Sequence, residues 1–472
     1  MICALLAFAA PTTLIDGGTL IDGTGKAGRK ADIRIQGSRI IEIGSLKPRK
    51  GEKVLNAEGM VVAPGFIDAH SHADFGIKDD PKALSQVTQG ITTAVVGQDG
   101  IWEKPVKEYL AELKKTSQSI NFVAFSGHGG LRAYIMGKDY KRKATAAEIK
   151  KMKALLEADM KGGAIGVSSG LEYDPGYYSD TNELIELAKV AAKYKGMYIS
   201  HVRDEADKTF EAFQELADIS KKAGLHAQIS HIKLGSFAVW GKTAKVDALC
   251  KKHGLTCDVY PYQFWQSGPS ALTPSRDWED KKIWVKAFSD VGGPQNVRLT
   301  NYSPDASWVG KTIAKIAEET GRDPVDIIQE IMRKTGDSEA RASVAVTAMS
   351  EGDLAHFIKS PWIMFSSDGA IGGSHPRGAG TFPRILGYFV REKKLISLPE
   401  AIRKMTSLPA ATFKLKDRGQ IKKGLLADIV VFDPKTIKDN ATAENPTAIS
   451  TGMKFVMIDG VLRYDITKPK NK

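Results

Sequence analysis

Short apolar runs alternate with segments of helical periodicity through the middle of the chain. Three of these helical segments span residues 182–194, 208–223 and 239–252. Alternating β and α segments predict a parallel sheet, and eight repeats of the pair predict an α/β fold, a (β/α)8 barrel of the TIM type. The predicted barrel strands end at His72, Gly97, Gly127, Ser169, His201, His231, Tyr260 and Asp368.

Both ends of the chain show a different pattern, in which short strands and turns follow one another without helices. Residues 31–35 alternate apolar and polar positions with period two, and residues 455–463 are typical of a hairpin around an Asp-Gly turn. Each end holds few strands, so we predict that the two ends pair. The predicted domains are a small β-sandwich from residues 12–64 and 412–472 and a barrel from residues 65–411.

The interval between the seventh and eighth predicted strands is too long for one βα unit. Residues 264–310 are rich in glycine, proline and tryptophan, which predicts a lid inserted over the barrel. Residues 311–335 have helical periodicity, and we predict that they complete the seventh βα unit.

The composition is that of a globular protein, with 42% apolar and 26% charged residues. The net charge of +12 comes from 67 basic and 55 acidic residues. The lysines are scattered and no basic stripe is interleaved with aromatic residues, which predicts a solvated surface and no nucleic-acid partner. No stretch approaches 18 apolar residues, so we predict no membrane span.

The location of the protein depends on its first residues. Residues 1–11 are apolar and contain an Ala-Phe-Ala triplet, as in the remnant of a secretory signal, but they lack a positive n-region. An N-terminal strand or a disordered start are the alternatives. A signal remnant predicts a periplasmic or secreted protein, and its absence predicts a cytoplasmic one. The three cysteines form no secreted disulfide framework and are compatible with both.

Two histidines one residue apart, His70 and His72, end the first predicted strand. Residues i and i+2 of a strand share a face, so the two imidazoles project side by side, as ligands of one metal ion do. Such a pair also occurs by chance on strand ends. The metal interpretation rests on three further strands that end in residues of the same kind, which are His201, His231 and Asp368.

A binuclear hydrolytic site also needs an anion between its two metal ions. Asp99 follows the second predicted strand and is the candidate bridge between a His70/His72 ion and a His201/His231 ion, although an ordinary Asp-Gly turn is the alternative. Asp368 can accept a proton from the attacking water and pass it to a leaving amine. With metal polarisation of a carbonyl group, this set predicts amide hydrolysis.

Cationic side chains near these strand ends are candidates for binding a substrate carboxylate. Lys233 follows the sixth predicted strand and Arg377 follows the eighth, although either could be a solvated surface cation. Tyr173 and Tyr262 are candidate hydroxyl donors, with Tyr260 as the alternative to Tyr262 and core packing as the alternative role. The predicted partner is therefore a small molecule with a free carboxylate. The oligomeric state is left open.

Several motifs in a fixed order resemble the amidohydrolase superfamily, in particular the N-acyl-D-amino-acid deacylase (D-aminoacylase) family. They are GFIDAHSHAD, SSGLEYDPG, ISHVRDE, ISHIKL, DVYPY, FSSDGA, HPRG and GQIKKGLLADIVVFDP, and they cover nearly the whole chain. The resemblance implies one or two Zn²⁺ ions held by the four histidines, Asp368 as general base and acid, and Lys233, Arg377 and a tyrosine around the substrate carboxylate.

One departure from the family pattern concerns the bridge. Relatives commonly carry a cysteine in a GNCG-like turn where this chain has Gly97-Gln98-Asp99-Gly100. A carboxylate is a harder ligand than a thiolate, so the choice between one ion and two stays open. Rival interpretations are hydrolysis of D-configured dipeptides, cyclic imides or lactones on the same fold, and a non-catalytic barrel protein.

Overall fold

The computed structural model describes residues 11–273, 275–336, 338 and 340–467. The candidate signal remnant at residues 1–11 lies outside the described residues except for Pro11. Every helix within the described part of the chain is too short or too polar to cross a bilayer.

Strands from both ends of the chain form the β-sandwich. Val61–Pro64 pairs antiparallel with Ile429–Phe432, which joins the two ends in one six-stranded sheet. In sheet order, its strands are Val461–Asp465, Met453–Ile458, Ile429–Phe432, Val61–Pro64, Thr19–Leu20 and Arg29–Lys30. The facing four-stranded sheet is formed by Arg39–Gly44, Asp32–Gln36, Thr12–Asp16 and Lys53–Asn56. Apolar side chains of both sheets, Ile33 and Val431 among them, share one buried core.

Eight strands in the described part of the chain form the barrel, which confirms the predicted fold class. In chain order they are Phe66–Asp68, Ile91–Val96, Asn121–Ala124 with Ser126–Gly127, Gly166–Gly170, Met197–His201, Ala227–Ile229, Thr256–Val259 and Ile363–Phe365. Consecutive strands pair in parallel, and the third strand joins the two halves of the ring because it pairs on both sides. The ring closes between the eighth and first strands, where the amide of Asp368 donates to the carbonyl of His70 at 2.8 Å.

Helices surround the barrel strands. Their apolar faces pack onto the strands in one large core that also includes the barrel-facing sheet of the sandwich. The barrel helices are Leu84–Val87, Val106–Thr116, His128–Met136, Ala146–Lys161, Thr181–Lys193, Thr209–Ala223, Thr243–His253, Glu351–Lys359, Arg377–Arg384, Leu398–Met405 and Ser407–Thr412, and a π-helix spans Ile385–Glu392. Single 3₁₀ turns span Gly137–Asp139, Gly176–Tyr178, Pro269–Leu272, Pro294–Asn296 and Ala306–Trp308.

The insertion after the seventh strand is a unit with its own core, and it extends beyond the predicted end at residue 310. Its antiparallel sheet has Ala342–Thr347 at the centre, between Phe264–Ser267 and Val297–Tyr302. Its helices are Lys281–Asp290, Ile313–Thr320 and Pro324–Thr335. The prediction that residues 311–335 complete the seventh βα unit is wrong, because the apolar faces of the last two helices are buried against this sheet. The helix Glu351–Lys359 precedes the eighth strand instead.

Candidate metal centre and substrate pocket

The predicted ligands meet at the carboxyl ends of the barrel strands, which all open on the same rim. Their side chains are between 0 and 15% exposed, so the groups that gather here are largely shielded from water. They are His70 and His72 after the first strand, Asp99 after the second, His201 at the end of the fifth, His231 after the sixth and Asp368 after the eighth.

The first cluster is formed by His70, His72, Asp99 and Asp368. The Nε2 atoms of His70 and His72 lie 3.3 and 3.1 Å from Asp99 Oδ2. The same two nitrogens lie 3.5 and 3.3 Å from Asp368 Oδ1. Two imidazole nitrogens and two carboxylate oxygens that converge in this way form a donor set for one divalent cation.

The second cluster contains His201 and His231. His201 Nδ1 lies 3.1 Å from His231 Nε2, and the two ring centroids are 4.7 Å apart. His231 Nε2 is also 3.6 Å from Asp99 Oδ1. The two imidazole nitrogens therefore face each other, and that of His231 also faces the carboxylate of Asp99 beside the first cluster.

Asp99 is the residue common to both clusters. Its Oδ2 faces His70 and His72, and its Oδ1 faces His231. Oδ1 is buried and has no hydrogen-bond partner among the described residues. A buried carboxylate oxygen without a partner is unfavourable in a folded protein. A cation on this oxygen would remove the penalty, and the placement is that of a bridging carboxylate.

Three of the site residues have left-handed backbone conformations. The φ angles are 54° at Asp99, 31° at His231 and 50° at Asp368. Positive φ is uncommon outside glycine, although Asp and His tolerate it better than most residues. The chain turns sharply at these residues after each strand, which directs the side chain across the barrel mouth. Strained backbone of this kind concentrates at functional sites.

Two buried aspartates that sequence reasoning missed hold the strand ends in place. Asp258 accepts from the amide of His231 at 3.0 Å and from Ser366 Oγ at 2.6 Å. Asp68 accepts from the amide of Ser367 at 2.7 Å. These contacts join the ends of the sixth, seventh, eighth and first strands next to the candidate metal ligands.

The carboxylates of the site stay ionised. Burial alone would raise the pKa of Asp99, but the charge of His70 and the close approach of His231 and His72 hold that pKa well below its usual range. Burial also opposes the charge of Asp368, and the charges of Arg377 and His231 outweigh it and keep its pKa well below its usual range. The positive charge that balances them can come from protons on the imidazoles or from a divalent cation that displaces those protons.

The two candidate substrate cations are buried at the site and already engaged. Arg377 Nη1 lies 2.6 Å from Asp368 Oδ2, and its Nε is buried without a hydrogen-bond partner among the described residues. Lys233 Nζ lies 2.8 and 2.7 Å from the two oxygens of Glu205 and 2.8 Å from His231 Nδ1. Neither is the solvated surface cation that the sequence left open.

The structure distinguishes the candidate tyrosines. Tyr173 lines the pocket, with its ring centroid 4.5 Å from that of His201. Tyr262 does not line the pocket, and its hydroxyl donates to the carbonyl of Pro376 at 3.4 Å. Tyr260 lines it instead, and its buried hydroxyl has no hydrogen-bond partner within the described ranges.

A tight turn after the seventh strand explains why Tyr260 lines the cavity and Tyr262 does not. The seventh strand ends at Val259, and the amide of Tyr262 donates back to the carbonyl of Tyr260 at 3.0 Å. This tight turn separates two side chains that an extended strand would place on one face. The Tyr260 ring lies close to both cations, with its centroid 4.9 Å from the Arg377 guanidinium carbon and 5.7 Å from Lys233 Nζ.

Two acidic residues that sequence reasoning missed face the second cluster. Glu172 Oε2 lies 3.1 Å from His201 Nε2. Glu205 Oε1 lies 3.2 Å from His231 Nδ1. Each acid closely follows a barrel strand, Glu172 after Gly170 and Glu205 after His201. That spacing after strands four and five is the signal that could have identified them.

A cavity of about 1500 Å³ opens above the two clusters. Barrel loops supply one wall, with Phe75, Trp102 and Tyr177, and the insertion supplies the other, with Trp265 and Arg276. The cavity is large enough to enclose a small molecule together with the metal-type residues at its floor. The insertion thus covers the site, as a lid does.

Known proteins share this architecture and length. The amidohydrolase family matches residues 53–266 and 293–464. The chain is 32% identical to a D-aminoacylase of Alcaligenes xylosoxydans xylosoxydans, covering 95% of this chain and 93% of that protein. It is also 32% identical to an N-acyl-D-glutamate deacylase of the same organism, covering 97% of this chain and 95% of that protein.

A solved structure extends the likeness to the fold. It is that of an N-acyl-D-glutamate deacylase from Bordetella bronchiseptica in complex with zinc and a phosphonate inhibitor that mimics the tetrahedral intermediate. The TM-score is 0.87 at 32% identity, and 98% of each chain is covered. The family match spans far more than half of the sequence, and both relatives exceed 30% identity over nearly the full length. The chain therefore belongs to the amidohydrolase family.

Proposed function

We propose that this chain is a metal-dependent hydrolase that deacylates N-acyl-D-amino acids, releasing a D-amino acid and a carboxylate. The observation that carries the proposal is the shared carboxylate of Asp99, which has one oxygen facing His70 and His72 and the other facing His231 of the second cluster. The likeness to D-aminoacylase and to N-acyl-D-glutamate deacylase supports the choice of an amide bond and of D-configured substrates.

The donor set fits one or two zinc ions, the metal named for the Bordetella bronchiseptica relative. His70, His72, Asp99 and Asp368 would hold one ion, and His201, His231 and Asp99 would hold the other. A bound zinc ion lowers the pKa of a water molecule toward neutrality and polarises a carbonyl oxygen.

Asp368 is the proposed proton carrier. It is ionised, buried and turned toward the mouth of the barrel, so it can accept a proton from the attacking water. When the C–N bond of the substrate breaks, the same carboxyl group can give that proton to the departing amine. Arg377 keeps the carboxylate charged before the first of these transfers and fixes one of its oxygens.

Tyr260, Lys233 and Arg377 are the proposed anchors for the substrate carboxylate. The unpartnered hydroxyl of Tyr260 and the unpartnered Nε of Arg377 are donors that face no acceptor within the described residues. A carboxylate between them would accept both hydrogen bonds and would lie against two cations. This anchor would place the adjacent amide over the two clusters.

A hydrolysis screen tests the proposal. The zinc-loaded full chain would be assayed with matched N-acetyl-D- and N-acetyl-L-amino acids, and with D-configured dipeptides, cyclic imides and lactones. We expect release of acetate from the D-series with a clear preference over the L-series, and no activity after the metal is removed with a chelator. Turnover of only the dipeptides, imides or lactones would overturn the deacylase assignment, and activity that survives complete metal removal would overturn the metal mechanism.

A further inference from the structure

The two histidines of the second cluster each have one nitrogen directed inward and one directed outward. The inward nitrogens are His201 Nδ1 and His231 Nε2, which lie 3.1 Å apart, and the second of them faces Asp99. The outward nitrogens are His201 Nε2 and His231 Nδ1, and both face carboxylates. An imidazole binds a metal only through a nitrogen that carries no proton, so its single proton must be on the other nitrogen.

We propose that Glu172 and Glu205 are positioning residues that hold His201 and His231 in opposite tautomers, each accepting a hydrogen bond from the outward nitrogen. His201 would then bind the second metal ion through Nδ1 and His231 through Nε2. The proposal rests on the metal centre proposed above. Carboxylates that hold metal-bound histidines in this way fix the ring and raise its basicity.

Lys233 makes the role of Glu205 specific. Lys233 Nζ lies only 2.8 Å from His231 Nδ1, and an ammonium group can only donate. If Lys233 donated to Nδ1, the ring proton would move to Nε2 and block the metal position. Glu205 opposes this because both of its oxygens accept from Lys233, at 2.8 and 2.7 Å, and because Oε1, 3.2 Å from Nδ1, is an acceptor for the ring proton.

Glu172 uses both of its carboxylate oxygens as hydrogen-bond acceptors. Oε2 lies 3.1 Å from His201 Nε2, and Oε1 accepts from the backbone amide of Glu205 at 2.9 Å. A glutamine at residue 172 would supply one acceptor and would direct an amide group at a second donor. Glu172 therefore supports His201 directly and also places the backbone of Glu205.

A different arrangement is also compatible with distance alone. Three potential ligand atoms, one each from His201, Glu205 and His231, lie within 4.8 Å of one another, so Glu205 could itself bind a metal ion. The two nitrogens of the His231 ring point in different directions, however, and Glu205 lies on the side of Nδ1 while Asp99 and His201 lie on the side of Nε2. This geometry favours the positioning role.

Metal binding measured without turnover tests the proposal. Wild type, Glu205→Gln, Glu205→Asp, Glu172→Gln and Glu172→Leu would be loaded with Co²⁺, and the ion would be withdrawn with increasing chelator while the visible absorption of the bound ion is recorded. Glu215→Gln is the matched control, because Glu215 lines the same cavity but pairs with Arg203 at 2.9 Å. Far-UV circular dichroism would establish that each variant is folded.

We expect Glu205→Gln and Glu172→Leu to weaken one of the two Co²⁺ ions by about 10- to 100-fold, and to leave the other ion and the stoichiometry at saturating metal unchanged. Glu205→Asp should restore part of the affinity, and Glu215→Gln should match wild type. Wild-type affinity in both Glu205→Gln and Glu172→Leu would overturn the proposal. Loss of one equivalent from Glu205→Gln even at saturating metal would also overturn it, because Glu205 would then be a ligand. A wild-type chain that binds no divalent ion would instead contradict the proposed metal centre itself.

Discussion

Arg377 Nη1 lies 2.6 Å from Asp368 Oδ2, and this ion pair joins the proposed carboxylate anchor to the proposed proton carrier. A substrate that is held by Arg377 is therefore held within reach of Asp368. The pair also helps to explain why a deeply buried acid remains charged, since burial opposes that charge and the charges of Arg377 and His231 together keep the pKa well below its usual range.

Asp368→Asn should lower kcat for N-acyl-D-amino-acid hydrolysis by about 10²- to 10⁴-fold, because an amide cannot carry the proton from water to the leaving amine. Steady-state kinetics on the zinc-loaded protein measure the effect, with metal content determined on the same sample. Asp79→Asn, at an exposed position, is the matched control and should be unchanged. Wild-type kcat in Asp368→Asn would remove Asp368 from the mechanism.

Asp99→Cys should increase the retention of zinc at least tenfold relative to wild type during dialysis against a chelator. A thiolate is a softer ligand that favours Zn²⁺ over harder ions such as Mn²⁺, whereas the carboxylate discriminates less. Asp99→Asn is the companion variant, because asparagine also tolerates the positive φ of 54° at this position but brings no charge. It should retain less zinc than wild type. Equal retention in all three proteins would show that residue 99 does not bridge the ions.

Tyr260→Phe should raise KM about tenfold with little change in kcat, because it removes one hydrogen bond to the substrate carboxylate. Tyr262→Phe should leave both constants near the wild-type values, since the Tyr262 hydroxyl contacts the carbonyl of Pro376 and not the cavity. The two variants delete the same atom two residues apart, so each controls for the other. The reverse pattern would return the anchoring role to Tyr262.

The barrel could be predicted because its strands are local patterns. Each apolar run and the polar residue that follows it are adjacent in the sequence, so the positions of His70, His201 and Asp368 at strand ends follow from periodicity. The pairing of the chain ends was also predictable, because neither end holds enough strands to bury a core alone. The comparisons confirm the α/β fold class and the family.

The contacts around the histidines could not be predicted because they depend on loop paths. Glu172 and Glu205 lie after different strands, and only the folded loops bring them to the outward nitrogens of His201 and His231. The choice between Tyr260 and Tyr262 depended on a single tight turn. Periodicity does not encode where such a turn begins.

The extent of the insertion was not predictable for a related reason. Its central strand Ala342–Thr347 pairs with strands that begin at Phe264 and Val297, far away in the sequence. A helical pattern at residues 311–335 shows an apolar face but not the surface that covers it. In the structure that surface is the sheet of the insertion, not the barrel.

Lys404 gives a stability test that is independent of the active site. Its fully buried ammonium group donates to the carbonyls of Ile358 at 2.5 Å and Ser360 at 2.8 Å, at the end of the helix that precedes the eighth strand. Burial lowers its pKa to about 7 from an ordinary value of 10.5. Between these two values the unfolded chain binds a proton that the folded chain does not, so the contribution of Lys404 to stability rises with pH.

The free energy of unfolding of wild type, relative to that of Lys404→Met, should therefore increase by a few kcal/mol between pH 7 and pH 10. Below pH 6 this difference should be constant, because Lys404 is protonated in both the folded and the unfolded chain. Urea unfolding of both proteins at a series of pH values measures this difference. The contributions of the other titrating groups cancel because both proteins contain them. At pH 10, Lys404→Met should also be less stable than wild type, because the helix-end carbonyls lose their donor. Lys50→Met, at an exposed position, should follow wild type throughout. A difference between wild type and Lys404→Met that does not vary between pH 7 and pH 10 would contradict the lowered pKa.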